Sequence, residues 1–176
     1  MRRFLSVAIL LVAVGAGLAY LRSGPTWFDR LRYPLKYEQI VKGHARNYHL
    51  DPALLAAVIY QESKFRSDAK SSSGAIGLMQ LKPETAQGIA IRTGGSRFQT
   101  SDLYDPEINI RYGSWYLRHL LDRYHDEKTA LAAYNAGQQN VDRWRAEGKG
   151  IQYSETRAYV DRVEHLKAVY KRAYNL

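Results

Sequence analysis

The chain reads as a mainly α-helical domain with an N-terminal transmembrane or signal helix. Three observations predict this. Apolar residues recur at helical spacing through most of the chain, between boundaries marked by Pro, Gly and Asp. No segment alternates with period two for long enough to make a strand. The run from Phe4 to Leu21 holds no charge, follows Arg2 and Arg3, and is 18 residues long, just enough to cross a bilayer.

Residues 1–22 are therefore expected to be a membrane anchor or signal segment. The small residues of Val14-Gly15-Ala16 and Gly17-Leu18-Ala19 offer cleavage sites, but the length of the run favours an uncleaved anchor. Residues 23–33 read as a juxtamembrane linker, with Trp27 and Phe28 suited to a bilayer interface. A globular domain is expected over 34–176.

Its first helix is expected from about Pro34 to Tyr48, with Ile40, Val41, Ala45 and Tyr48 on one face. Asp51 caps the next helix and Pro52 opens it. Residues 67–77 form a small-residue loop. Pro83 starts a helix that stops before Thr93-Gly94-Gly95, and Asp105-Pro106 starts a longer one through Tyr112, Trp115, Leu120 and Tyr124. Lys128 to Ala136 is a short helix stopped by Gly137. Another, around 140–146, ends at Gly148. Ser154 is expected to cap the last helix, striped by Val160, Val163, Leu166 and Tyr170.

Bulk composition narrows the function classes. With no cysteine among 176 residues, disulfides and thiolate metal sites are excluded. His44, His49, His119, His125 and His165 are scattered, so no metal site and no cofactor are expected. The formal net charge is +9, which suits an anionic polymer or lipid surface. No helix-turn-helix or ribonucleoprotein motif is visible, and nucleic acid is not an expected partner.

Glu62 is the candidate for chemistry. It follows Val58 by four residues and Ile59 by three, at the end of the apolar run Leu54-Leu55-Ala56-Ala57-Val58-Ile59. Burial there raises a carboxyl pKa, and the negative end of the helix dipole pushes the same way. A carboxylic acid still protonated near neutral pH is what glycosidic bond cleavage needs. The competing reading is a solvated Glu in a last helical turn. Asp68, the other acid between Glu62 and Gln80, reads as a turn residue.

Polar residues in unexpected places form three islands: Glu62-Ser63-x-Phe65 continuing through Ser71, Gly74, Gly77, Leu78-Met79-Gln80-Leu81 to Pro83 and Thr85; Ala130 to Gly137 around Tyr134-Asn135; and Glu155-Thr156-x-x-Tyr159-Val160. Over roughly 36–172 these islands resemble the catalytic domain of soluble-type lytic transglycosylases, which share a lysozyme-like fold with goose-type lysozymes. The resemblance implies a lyase that cuts the β-1,4 bond between N-acetylmuramic acid and N-acetylglucosamine in peptidoglycan and leaves a 1,6-anhydro ring. It assigns Glu62 as the single acid/base. Ser71, Gln80, Tyr134, Asn135 and Tyr159 match residues of the sugar sites, Tyr159 being an aromatic near the carboxyl. The sequence departs from the family pattern at Ser67, Lys82, Gln138-Gln139 and Ser154.

The partners implied are glycan strands and, through the N-terminal helix, the cytoplasmic membrane, with a monomeric catalytic domain outside it or a secreted one if the segment is cleaved. Alternatives at this point are a water-using muramidase, which needs a second positioned carboxylate, and a non-catalytic wall-binding module.

Overall fold

The computed structural model describes residues 14, 15, 17, 26–95 and 97–176. The N-terminal membrane or signal helix expected over 1–22 lies almost wholly outside the described residues. Among those described, no helix is long and apolar enough to cross a membrane.

The element order is α1 (Thr26–Arg32), α2 (Glu38–Asn47), α3 (Pro52–Ser63), α4 (Pro83–Thr93), a 3-10 turn (Thr100–Tyr104), α5 (Pro106–Tyr124), α6 (Glu127–Ala136), α7 (Gln138–Ala146) and α8 (Ser154–Tyr174). Among the described residues the only β pairing is two isolated bridges, Lys70 with Ile76 and Ile76 with Leu81, which brace the loop after α3.

Helix α3 is the axis of the domain. Ala53 through Ile59 are buried on every side, because α8 lies along one flank and α2 along another. Each fully buried Leu or Ile there contributes about 1.5–3 kcal/mol. Its start follows local chemistry: Asp51 accepts from Ala53 N at 2.9 Å and Pro52 has no N–H to leave unpaired. Its end is abrupt. Lys64 (φ 52) and Phe65 (φ 59) are both left-handed, and Phe65 is buried against Tyr60 and Tyr170. A smaller cluster, including Ile76, Leu81, Ile89 and Tyr112, joins α4, α5 and the 67–81 loop.

Several boundaries differ from the sequence reading. The stretch expected as a linker, 23–33, contains α1, which is docked on α8: Asp29 accepts from Arg172 Nη2 at 2.6 Å, and Arg30 Nε donates to Ala173 O at 2.7 Å. The helix expected from Pro34 starts at Glu38. Leu35 N donates to Tyr174 Oη (3.0 Å), which holds the preceding chain extended, and Tyr37 is left-handed at φ 55. Ser154 does not cap α8; it is the first helical residue, and Tyr153 precedes it without a side-chain cap. Helix α7 begins at Gln138 rather than near 140, because Gly137 (φ 86, ψ 147) ends α6 and starts α7 at a single residue. That backbone conformation is open essentially to glycine alone. The 3-10 turn had no clear signature in the sequence.

Candidate active site

Glu62 lies in the last turn of α3, where it forms part of the wall of a cleft of about 440 Å³. The walls draw on the loop after α3 and on α4, α5, α6 and α8, with Thr85 coming from α4 and Tyr116 from α5. The loop after α3 supplies Ser71, Ser73 and Gln80, the end of α6 supplies Tyr134 and Asn135, and the start of α8 supplies Glu155.

Half-buried Glu62 has lost much of its hydration, and this desolvation pushes its carboxyl up to about 7 from an ordinary 4.5. A hydrogen bond from Tyr159 Oη to Glu62 Oε1, 2.6 Å long, opposes that rise by favouring the carboxylate. At neutral pH the group is therefore poised between acid and base. Tyr159 is 3 % exposed. It stands behind Glu62 rather than on the cleft wall where the sequence reading placed it with the sugar-binding residues. Burial and the nearby Glu62 hold the Tyr159 and Tyr134 hydroxyls well above their usual range, so both act as neutral donors.

The loop opposite is held by contacts that determine its shape. Asn109, fully buried in α5, donates from Nδ2 to Ile76 O (3.0 Å) and Leu103 O (2.7 Å), and its Oδ1 accepts from Met79 N (2.8 Å). Tyr134 Oη donates to Met79 O at 2.8 Å. The Met79 residue is thus gripped at both its N–H and its C=O. Ser63, next to Glu62, donates to Leu78 O at 2.8 Å, which ties the end of α3 to the same loop. Gly77 (φ 79) packs so closely on Asn109 and Leu103 that a Cβ would collide with both.

Ser71, Gln80, Tyr134 and Asn135, the residues matched to the sugar sites, line one cleft with Glu62. Each also has a role within the fold. Ser71 Oγ accepts from Ala75 N (3.0 Å) and shares a bond with Ser73 Oγ (2.9 Å). Gln80 is left-handed (φ 47), and its Nε2 donates to Gly77 O and Ala69 O (2.9 and 3.2 Å). Asn135 Oδ1 accepts from Thr156 Oγ1 at 2.8 Å, and Thr156 is 2 % exposed. Asp68 is exposed in a turn and does not line the cleft.

Asn109, Thr156, Tyr116 and Glu155 were not among the expected site residues. Asn109 carried one usable signal, a polar residue between Ile108 and Ile110. Thr156 and Glu155 stood in the third island without an assigned role. The Tyr116 ring centroid lies 5.4 Å from that of Tyr134.

Comparison with known proteins identifies the family and the fold. The family model described as the transglycosylase SLT domain matches residues 39–156. The transglycosylase of Enterobacteria phage PRD1 is 38% identical over 115 residues, covering 65% of this chain and 40% of that protein. The soluble lytic murein transglycosylase of Escherichia coli K12 is 32% identical over 163 residues, covering 85% of this chain and 25% of that protein. Among solved structures, the lytic transglycosylase Slt of Pseudomonas aeruginosa, an inactive glutamate-to-glutamine mutant, superposes with a TM-score of 0.76 at 32% identity, over 83% of this chain and 25% of that one. The 70 kDa soluble lytic transglycosylase of E. coli, also solved with bulgecin A, gives 0.76 at 31% identity over 82% of this chain. The chain spans less than half the length of these relatives. On the family match and this shared fold, the chain belongs to the transglycosylase SLT domain family.

Proposed function

We propose that the protein is a peptidoglycan lytic transglycosylase with Glu62 as its single acid/base. The observation that carries this reading is the Glu62 carboxyl itself: it borders the cleft, stays protonated up to about pH 7, and is oriented by Tyr159. The family membership and the inactive glutamate-to-glutamine relative support it.

In the proposed reaction a glycan strand occupies the cleft with a muramic acid beside Glu62. Glu62 gives its proton to the glycosidic oxygen, and the C1–O4 bond breaks with that oxygen leaving as the N-acetylglucosamine hydroxyl. The muramic acid's own N-acetyl carbonyl stabilises the positive charge at C1. The Glu62 carboxylate then removes the proton from the C6 hydroxyl, whose oxygen bonds to C1 and closes the 1,6-anhydro ring. Glu62 ends protonated, as it began. The intramolecular nucleophile replaces a water and gains from proximity. Ser71, Gln80, Tyr134 and Asn135 are proposed to bind the sugars, and Tyr159 to support the acid.

One observation favours a second reading. Glu155 places a further carboxylate on the same cleft, and a muramidase activates water with a second carboxylate. Mass spectrometry of peptidoglycan digested by the full chain separates the two. Products lighter than hydrolysis products by one water, and resistant to borohydride, fit the lytic reaction; ordinary reducing ends mean hydrolysis.

The uncharged run Phe4–Leu21 is proposed to anchor the domain on the outer face of the cytoplasmic membrane, where its substrate lies. Relatives named as membrane-bound lytic murein transglycosylases support such a location, alongside others named as soluble. The domain is proposed to act as a monomer.

A further inference from the structure

Helix α1 turns an apolar ridge to solvent. Trp27, Phe28 and Leu31 are 63%, 49% and 75% exposed. Trp27 and Leu31 stand four residues apart and Phe28 and Leu31 three apart, so they share one side of the helix. The Trp27 and Phe28 rings meet edge to face, with centroids 6.0 Å apart.

The ridge is not exposed because the helix is loose. Asp29, 8 % exposed on the other side, receives Arg172 through Nη2 (2.6 Å) and Nε (3.1 Å). Arg30 Nε is bonded to Ala173 O, and Tyr174 Oη donates to Tyr33 O at 3.0 Å. These contacts lock the polar side of α1 onto α8 and leave the apolar side facing out. A cluster of Trp, Phe and Leu fixed in solvent marks an interaction surface.

Two features identify the partner. The uncharged run Phe4–Leu21 ends five residues before Thr26, so the chain keeps the start of α1 within about 18 Å of the end of the run. Exposed Arg32 and Lys36 follow the ridge. Aromatic and aliphatic side chains flanked by cations match the headgroup layer of an anionic bilayer.

We propose that Trp27, Phe28 and Leu31 dock on the surface of an anionic membrane, so that the folded domain rests on the bilayer instead of swinging on a tether. This rests on the membrane anchoring proposed above. Its consequence is geometric. Helix α8 holds α1 through Arg172 and Ala173 and holds Glu62 through Tyr159. The two ends are separated by 13 residues of helix, about 20 Å. One rigid helix therefore links the lipid-facing surface to the catalytic carboxyl and sets the distance at which glycan strands are reached.

The absence of cysteine makes the test direct. The full chain carrying Leu31→Cys, Val12→Cys or Ile91→Cys is labelled with a polarity-sensitive fluorophore. It is then reconstituted in vesicles of equimolar phosphatidylethanolamine and phosphatidylglycerol containing a nitroxide at the headgroup–acyl boundary. The expected result is quenching at 12 and at 31, the latter by about half, as for side chains lying at that boundary, with little at 91. Replacing Trp27 and Phe28 by Ser is expected to relieve quenching at 31 and leave 12 unchanged. Quenching at 12 without quenching at 31 would overturn the docking surface and leave the anchor standing. No quenching at 12 would overturn the anchor and, with it, this inference. A label at 31 shielded from aqueous iodide but not quenched by lipid would assign the ridge to the chain's own N-terminal segment and overturn the proposal. Equal quenching at 91 would do the same, by showing contact without orientation.

Discussion

Tyr159 Oη donates to Glu62 Oε1 at 2.6 Å across 97 residues of sequence. The bond joins the start of α8 to the end of α3, holds the carboxyl in place and partly offsets the rise in pKa that burial causes. Tyr159→Phe keeps the ring packed and removes only the donor. Because the bond favours the carboxylate, its loss raises the Glu62 pKa further. The alkaline limb of the kcat/KM profile is expected to move to higher pH, while kcat falls about tenfold from lost orientation. An alkaline limb that stays in place would show that the bond does not tune the acid.

Glu62→Gln removes the transferable proton. Activity on peptidoglycan is expected to fall by about 10²–10⁴-fold, the usual worth of a general acid. Stability is also expected to depend on pH through this carboxyl. The folded pKa of about 7 lies above the ordinary 4.5, so between these values the folded state holds more protons than the unfolded one. Wild-type stability therefore falls as pH rises through this window, by about 1–3 kcal/mol. The glutamine variant lacks that fall. Thermal melts at pH 4 and pH 8 should show it gaining on the wild type at the higher pH; a constant gap between the two proteins would contradict the raised pKa.

Thr156 reaches the cleft only through Asn135. Thr156→Val preserves shape and deletes the hydroxyl, and its cost to stability is expected to be about 1 kcal/mol. If the bond positions Asn135 for sugar binding, KM rises more than kcat falls, and Thr156→Ser restores it. A change in Tm without a change in KM would reduce Thr156 to a packing residue.

Asn109→Leu strips three partners, Met79 N, Ile76 O and Leu103 O, of their bonds in a fully buried site. Leaving them unpaired is expected to cost about 3 kcal/mol or more. Amide exchange should accelerate in residues 76–81 ahead of α3. If the whole domain loosened together instead, the loop would not depend on Asn109 in the way its bonds suggest.

The features legible in the sequence were those encoded locally. Asp51-Pro52 and Asp105-Pro106 marked helix starts because cap chemistry involves neighbours only. Gly94 and Gly137 marked helix ends because left-handed or mirror-region backbone favours glycine. Glu62 was legible as an acid at the end of an apolar run, and the polar islands beside it resembled one family. Asn109 was legible only as a polar residue between two isoleucines, since its three bonds lie 6, 30 and 33 residues away.

Tertiary structure decided the rest. Nothing near residue 30 foretells that Asp29 meets Arg172 across 143 residues, so a segment that reads as a linker became a docked helix. Nothing near Tyr159 shows whether it lines the cleft or backs the carboxyl; that depends on how α8 lies against α3. By itself the sequence determined helical content and most helix boundaries, and it singled out Glu62 as the candidate acid, because caps, turns and periodicity act over a few residues. The hydrogen bond from Tyr159 to the carboxyl and the outward ridge of α1 came only with the packed chain, because long-range contacts exist only after distant segments meet.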